Sequence, residues 1–93
     1  MIIGLVILEL HLPDCYSLKQ KRSVVKSFIT RVRDRFNVSI SEIDDHDLWQ
    51  KAIIGVACVG NDKVFINKVL DKVVDFVETY RQMQLLDVKM SFI

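Results

Sequence analysis

The segment that most constrains the fold is residues 2–12, which read IIGLVILELHL. One wholly apolar face of this segment is formed by even positions, namely Ile2, Val6, Leu8, Leu10 and Leu12. The odd positions begin with Ile3, Leu5 and Ile7 and turn polar only at Glu9 and His11. A strand that is apolar on both faces for most of its length is typical of the centre of a sheet. The sequence therefore predicts that its first strand is a central one.

A helix is predicted to follow over residues 17–35. Ser17 and Gln20 form the S-x-x-Q pattern of a capping box, in which the two side chains satisfy backbone N–H groups at the helix start. Apolar residues then recur at intervals of three, four and seven, at Leu18, Val25, Phe28, Ile29 and Val32. This spacing places them on one buried stripe of the helix.

The rest of the chain alternates between the two periodicities once more. Residues 36–43 alternate as a half-buried strand, 44–48 form a polar turn, and 52–59 form another apolar strand. Because the link is too short for a parallel crossover, these two strands should pair as a hairpin. A second helix is predicted near 62–80. A final strand is predicted from the alternation of Leu86, Val88, Met90 and Phe92 with polar residues.

The predicted order is β-α-β-β-α-β in a single domain spanning residues 1–93. Right-handed crossovers favour the ferredoxin-like arrangement, an α+β fold with both helices on one face of a four-stranded antiparallel sheet of order 4-1-3-2. This order makes the first and third strands central, and they are the two most continuously apolar ones. The fold hosts many unrelated activities, so it assigns no function by itself.

Charge, cysteines and hydropathy bear on the cellular setting. The formal net charge is +1, so no global field favours a nucleic-acid or membrane partner. Cys15 and Cys58 lie far apart and neither belongs to a CxxC pair, which argues against a zinc ribbon, a redox dithiol or a disulfide scaffold. The first apolar run reaches Glu9 after eight residues, too short for a membrane span, and it lacks the basic region of a signal peptide. We expect a cytoplasmic protein with reduced thiols and no membrane partner.

Several segments together resemble the YlxP-like family of small bacterial proteins. They are His11-Leu12-Pro13 followed by Ser17–Arg22, then Arg35–Ser39, Asp47–Ala52, and Gly55-Val56-Ala57 before Asn61-Asp62. The resemblance covers nearly the whole chain in order and implies a ferredoxin-like fold. Genes of such proteins often lie near those of transcription and translation factors, including ribosome-binding factor A. The family has no assigned activity, so the resemblance implies no catalytic residue.

The strongest local signal for function is the basic first helix. Seven of the thirteen Lys and Arg residues lie between positions 19 and 35, opposed there only by Asp34: Lys19, Lys21, Arg22, Lys26, Arg31, Arg33 and Arg35. At about 100° per residue, four of them fall along one flank of the apolar stripe: Lys19, Arg22, Lys26 and Arg33. Such a row can follow a phosphate backbone, with the other three cations in support. The alternative is a solvated helix face in which Arg31 and Arg35 favour the helix C-terminus.

Catalytic and metal chemistry have little residue support. The turn Asp44–Asp47 lacks the spacing of a calcium loop or of a zinc helix, so a solvated turn is the better interpretation and no metal is expected. Cys15 with His11 or His46 would need spatial convergence, and Asp14 beside Cys15 raises a thiol pKa rather than lowering it. No phosphate-binding glycine loop or nucleophile elbow is present. We expect no cofactor and no enzymatic activity.

The open face of the predicted sheet provides a second hypothesis. The central-strand residues on this face are aliphatic or small: Ile3, Leu5, Ile7, Ile53, Gly55, Ala57 and Val59. Because none of them is aromatic, stacking of RNA bases on this face is disfavoured. Such a face favours self-association or a protein partner, unless a loop or Trp49 covers part of it. Two functions remain open. One is a non-catalytic module that contacts structured RNA or the ribosome through the basic helix. The other is a homodimeric protein-interaction or small-ligand regulatory domain.

Overall fold

A computed structural model describes all residues, 1–93, and contains four strands and two helices. Their bounds, in chain order, are β1 (Ile2–His11), α1 (Leu18–Arg35), β2 (Ser39–Asp44), β3 (Lys51–Gly60), α2 (Lys63–Val77) and β4 (Gln84–Phe92). The fold is therefore α+β, as the two periodicities predict. Neither helix combines the length and the apolar character that crossing a membrane requires.

All four strands belong to one antiparallel sheet. The order is β2-β3-β1-β4, which is 4-1-3-2 when read from the opposite edge. The central strand β1 pairs with β3 from Ile2 opposite Gly60 to His11 opposite Lys51 without a shift in register. The hairpin predicted between the second and third strands is confirmed, since β2 pairs with β3. This architecture is consistent with a ferredoxin-like fold.

The core lies between the sheet and the helices. On β1 the even residues Val6, Leu8 and Leu10 are fully buried, whereas the odd residues face the opposite side and are partly exposed. Both helices contribute to the same cluster of 19 buried residues, through Phe28 of α1 and Leu70 of α2 among others. The odd face of the sheet thus has no helix against it.

The helix starts follow the sequence signals. Ser17 Oγ accepts a hydrogen bond from the backbone N–H of Gln20 at 3.1 Å, and Gln20 Oε1 accepts one from the N–H of Tyr16 at 2.6 Å. Helix α2 ends at Val77, three residues earlier than the predicted end near residue 80. The Thr79 hydroxyl donates to the carbonyl of Phe76, a local bond that competes with helix continuation.

Two β-bulges change the predicted faces of the edge strands. In β4 the register shifts opposite Glu9 and Leu10, so Leu86 is extra, and it is exposed. The predicted alternation therefore holds from Val88 onwards but not at Leu86, and Leu85 packs against the core instead. In β2 the extra residue is Ile43, which is also exposed. An inserted residue reverses the alternation beyond it, which a simple two-residue period does not anticipate.

Candidate functional site

The cations of α1 lie on three different faces of the helix. Lys21 belongs to the buried stripe with Val25, Phe28 and Val32. One flank faces the edge strand β2 and carries Arg22, Lys26 and Arg33. The other flank faces α2 and carries Arg31 and Arg35. The basic helix is therefore not one continuous surface.

The flank beside β2 forms an open groove with a volume of about 470 Å³. Three α1 cations line it, and none is within 4.0 Å of a carboxylate: Arg22, Lys26 and Arg33. Arg22 and Arg33 are eleven residues apart, which corresponds to about 16 Å along the helix axis. We call this surface the α1/β2 groove. It presents a row of positive charge that is free to bind an anionic ligand.

One arginine of the α1/β2 groove is held in place by the sheet. Arg33 Nη2 donates to the backbone carbonyl of Ile40 in β2 at 3.1 Å. A guanidinium has five N–H donors, so this bond leaves others free for a phosphate oxygen. Anchoring one donor also reduces the side-chain entropy that a bound ligand would have to restrict. Among the three groove cations, Arg33 is thus the one whose side chain is hydrogen-bonded to the protein.

The β2 side of the groove contributes polar groups that the sequence analysis did not select. Ser41, Glu42 and His46 line it, and His46 Nε2 lies 3.2 Å from the carbonyl of Glu42. The one carboxylate among them is neutralised, because Glu42 forms an ion pair with Lys21. The alternation from Ile40 could have revealed Glu42, since position 42 lies on the same inward face and a carboxylate there needs a cation.

Lys21 is not a phosphate contact, and its inclusion among the nucleic-acid-binding residues is wrong. The residue is fully buried, and its Nζ lies 2.8 Å from Glu42 Oε2 while donating to the backbone carbonyl of Asp45. The ammonium therefore holds the end of β2 and its turn against α1. Asp45 has a positive φ of 60°, and its carbonyl is one of the two groups that Lys21 fixes.

The remaining predicted cations lie away from the groove. Arg31 packs over the ring of Tyr80 at 5.6 Å and Arg35 over the ring of Phe76 at 5.0 Å, so both cover the α1–α2 contact. Lys19 is exposed in the first turn and lines a different cavity beside Cys15. The structure thus brings together only three of the four residues predicted as one row.

The predicted interface residues all lie on the open face of the sheet. Their register places them on the odd face of β1 and the matching face of β3: Ile3, Leu5, Ile7, Ile53, Ala57 and Val59. Ile7 is 41% exposed and Val59 is 59% exposed, while the other four are half-buried. Beside them, Gly55 leaves a depression of about 350 Å³ whose lining includes the bulged residue Ile43.

Trp49 lies in the β2–β3 turn and is 53% exposed. Trp49 therefore does not close one end of the core. Its neighbours in a surface cavity of about 520 Å³ include His11 and Lys51, which belong to the open face. The indole thus lines one end of the open face and lies outside the helix-covered core.

The two histidines and Cys15, which the sequence brings up for nucleophilic chemistry, lie in different environments. Cys15 is buried, and its pKa is raised above the usual 9.0 by burial and then by Asp14, with Lys21 acting in the opposite direction. His11 Nδ1 lies 3.1 Å from Gln84 Oε1, and His46 Nε2 lies near the carbonyl of Glu42 in the α1/β2 groove. The hydrogen-bonding partner of each imidazole is therefore a group other than Cys15. The chain has no group of three or more His, Cys, Asp or Glu residues placed to hold a metal ion.

Comparison with known proteins supports the resemblance in the sequence. Residues 3–90 match a family described as "Protein of unknown function (DUF503)". The chain is also 40% identical over 82 residues to the "Uncharacterized protein YlxP" of Bacillus subtilis (strain 168), an alignment that covers 88% of this chain and 89% of that protein. With 88 consecutive positions matched and this degree of identity, the chain belongs to the DUF503 family and is YlxP-like.

Proposed function

We propose that the chain is a non-catalytic, ferredoxin-like binding module of the cytoplasm that contacts structured RNA, alone or within a ribonucleoprotein such as the ribosome. The observation that carries the proposal is the α1/β2 groove, in which Arg22, Lys26 and Arg33 form a row without carboxylate partners. Lys and Arg rows of this kind neutralise phosphates and displace their counterions. The link to translation implied by the family resemblance makes ribosomal RNA the first target to test.

The rest of the surface supports contact with the backbone rather than with the bases. The central strands β1 and β3 place no Phe, Tyr or Trp on the open face, so that face offers no stacking platform within them. Helix α2 carries Lys63, Lys68 and Lys72, but Asp71 and Asp75 in the same helix and Glu78 at its C-cap reduce the net charge of that surface. The proposal therefore places the phosphate contacts in the α1/β2 groove.

The non-catalytic part of the proposal is supported by the state of Cys15. A thiol must lose its proton to act as a nucleophile, and burial together with Asp14 raises the pKa of Cys15. At neutral pH this side chain stays a protonated thiol inside the core.

The test is a fluorescence anisotropy titration with a labelled RNA hairpin, together with co-sedimentation with purified ribosomal subunits. Arg22→Glu/Lys26→Glu should weaken binding by about 100-fold, since each charge-assisted contact to phosphate is worth about 1.5 kcal/mol. The matched control is Lys68→Glu/Lys72→Glu, which makes the same change in net charge on exposed positions of α2. Equal loss in both variants would mean that net charge alone governs binding. Absence of binding by the wild-type protein to either probe would overturn the proposal.

A further inference from the structure

The open sheet face has a shape that fits a copy of itself. Ile3, Leu5 and Ile7 form a ridge along β1. On the neighbouring strand β3, Gly55 pairs with Ile7 and Ala57 pairs with Leu5. The small residues therefore form a depression immediately beside the ridge, with a volume of about 350 Å³.

A two-fold axis parallel to the strands, between β1 and β3, would place β1 of one copy over β3 of the other. Ile7 of each copy would then lie over Gly55 of the second copy, and Leu5 over Ala57. Each ridge would fill the depression that faces it, and the contact would be the same in both directions, as an isologous interface requires. Face-to-face sheets about 10 Å apart interdigitate their side chains in this way.

Charge on the open face permits this approach. Register places Glu9, Asp44 and Asp87 on it together with Lys51 and Lys89, so three acids face two bases and the net charge is −1. Lys51 is already paired with Glu9, at 3.0 Å between Nζ and Oε1. Two identical copies would therefore meet with a net charge of only −1 on each face, a weaker repulsion than between two copies that approach through the basic helix α1.

The area of the face is sufficient for a dimer. Four strands at about 4.8 Å spacing and about 3.4 Å per residue give a face of roughly 19 by 34 Å, less the missing length of the short strand β2. Two such faces would together cover about 1,200 Å², the lower end of the range for specific interfaces. We infer that the protein forms a two-fold dimer through the open sheet face, with the β1 ridge of each copy in the Gly55–Ala57 depression of the other. Both α1/β2 grooves would remain on the outside, so this inference does not depend on RNA binding.

Sedimentation velocity over a range of protein concentrations, in the absence of RNA, tests this inference. The wild-type chain of 10.8 kDa should sediment as a dimer at micromolar concentration. Ile7→Lys should give a monomer, because the new ammonium would be buried against the second copy without a partner. The matched control is Val64→Lys, the same kind of change at a residue that is 64% exposed on α2, and it should remain dimeric.

A second variant distinguishes the ridge-and-depression contact from general adhesion of an apolar surface. Gly55→Val fills the depression, and its Cβ would lie 3.1 Å from Cγ2 of the exposed Ile43, which has room to move. The inferred interface predicts weaker dimerisation, because the new valine side chain would occupy the space that Ile7 of the second copy fills. Adhesion without a defined fit predicts equal or stronger association, because the variant exposes more apolar surface. A circular dichroism spectrum checks that each variant is folded. A wild-type monomer at high micromolar concentration, or association of Gly55→Val as strong as that of the wild type, would overturn the inference.

Discussion

Replacing Lys21 with Met isolates the role that the structure gives to the buried cation. The change keeps a long apolar side chain in the stripe of α1 but removes Nζ, which pairs with Glu42 and donates to Asp45. The carboxylate of Glu42 would then lack its cation in a site where its side chain is only 15% exposed. Removing one member of a buried pair costs about 3–5 kcal/mol, and the partial exposure of Glu42 favours the lower value of about 3.

That loss is large for a chain of this size. A domain of 93 residues has a total stability of about 5–14 kcal/mol at 0.05–0.15 kcal/mol per residue. A loss of about 3 kcal/mol would lower the melting temperature by about 12–24 °C. Urea unfolding followed by far-ultraviolet circular dichroism measures the free energy directly, and it avoids relying on the half-exposed Trp49 as a probe.

The double variant Lys21→Met/Glu42→Leu is the control. It removes both charges, so the buried carboxylate is no longer left alone, and only the carbonyl of Asp45 loses a donor. Its stability should lie about 1 kcal/mol below that of the wild type, far above Lys21→Met. RNA affinity of the double variant should equal that of the wild type, because it removes Lys21 without leaving an unpaired carboxylate in the α1/β2 groove. A melting temperature unchanged in Lys21→Met, or a large loss of RNA binding in the folded double variant, would refute this account of Lys21.

Two further predictions concern the core. Gly4→Ala should lower the free energy of unfolding by about 1–3 kcal/mol, because a Cβ there would clash with Ile66 Cγ2 and lie 2.9 Å from Leu70 Cδ1. Urea unfolding measures this loss, and an unchanged midpoint would contradict the close approach of α2 to β1. The second prediction concerns pH: burial raises the pKa of Cys15 and Cys58 above 9.0, so the folded state holds their protons more tightly than the unfolded state does. The stability that this difference contributes is present below pH 9 and is lost as the pH rises through the raised pKa values. The drop in stability above pH 9 should therefore be smaller in Cys15→Ala/Cys58→Ala than in the wild type, and an identical pH profile would contradict it.

The sequence predicts the architecture because its strongest patterns arise from the core. The apolar positions of β1 and the spacing of Val25, Phe28 and Val32 are set by burial, and burial dominates the free energy of folding. The bulges at Ile43 and Leu86 are not predicted, because one inserted residue leaves the composition of a strand unchanged while reversing its faces.

The candidate site is predicted less well, since it depends on which charges are buried together. Helical spacing correctly separates Arg22, Lys26 and Arg33 from Arg31 and Arg35. The wheel positions, however, do not show that Lys21 meets Glu42 across the core, because that contact joins residues 21 positions apart. A contact between residues this far apart in the sequence depends on the tertiary structure, and the local periodicity of the sequence does not predict it.

The dependence of RNA affinity on salt tests the central claim most directly. Three phosphate contacts from the α1/β2 groove predict a slope of log affinity against log salt of about −2 to −3, at 0.7–0.9 per contact. Arg22→Ala/Lys26→Ala should reduce that slope to about −1, because one of the three cations remains. A wild-type slope near zero, or the same slope in the wild type and the double variant, would show that the groove is not where RNA binds.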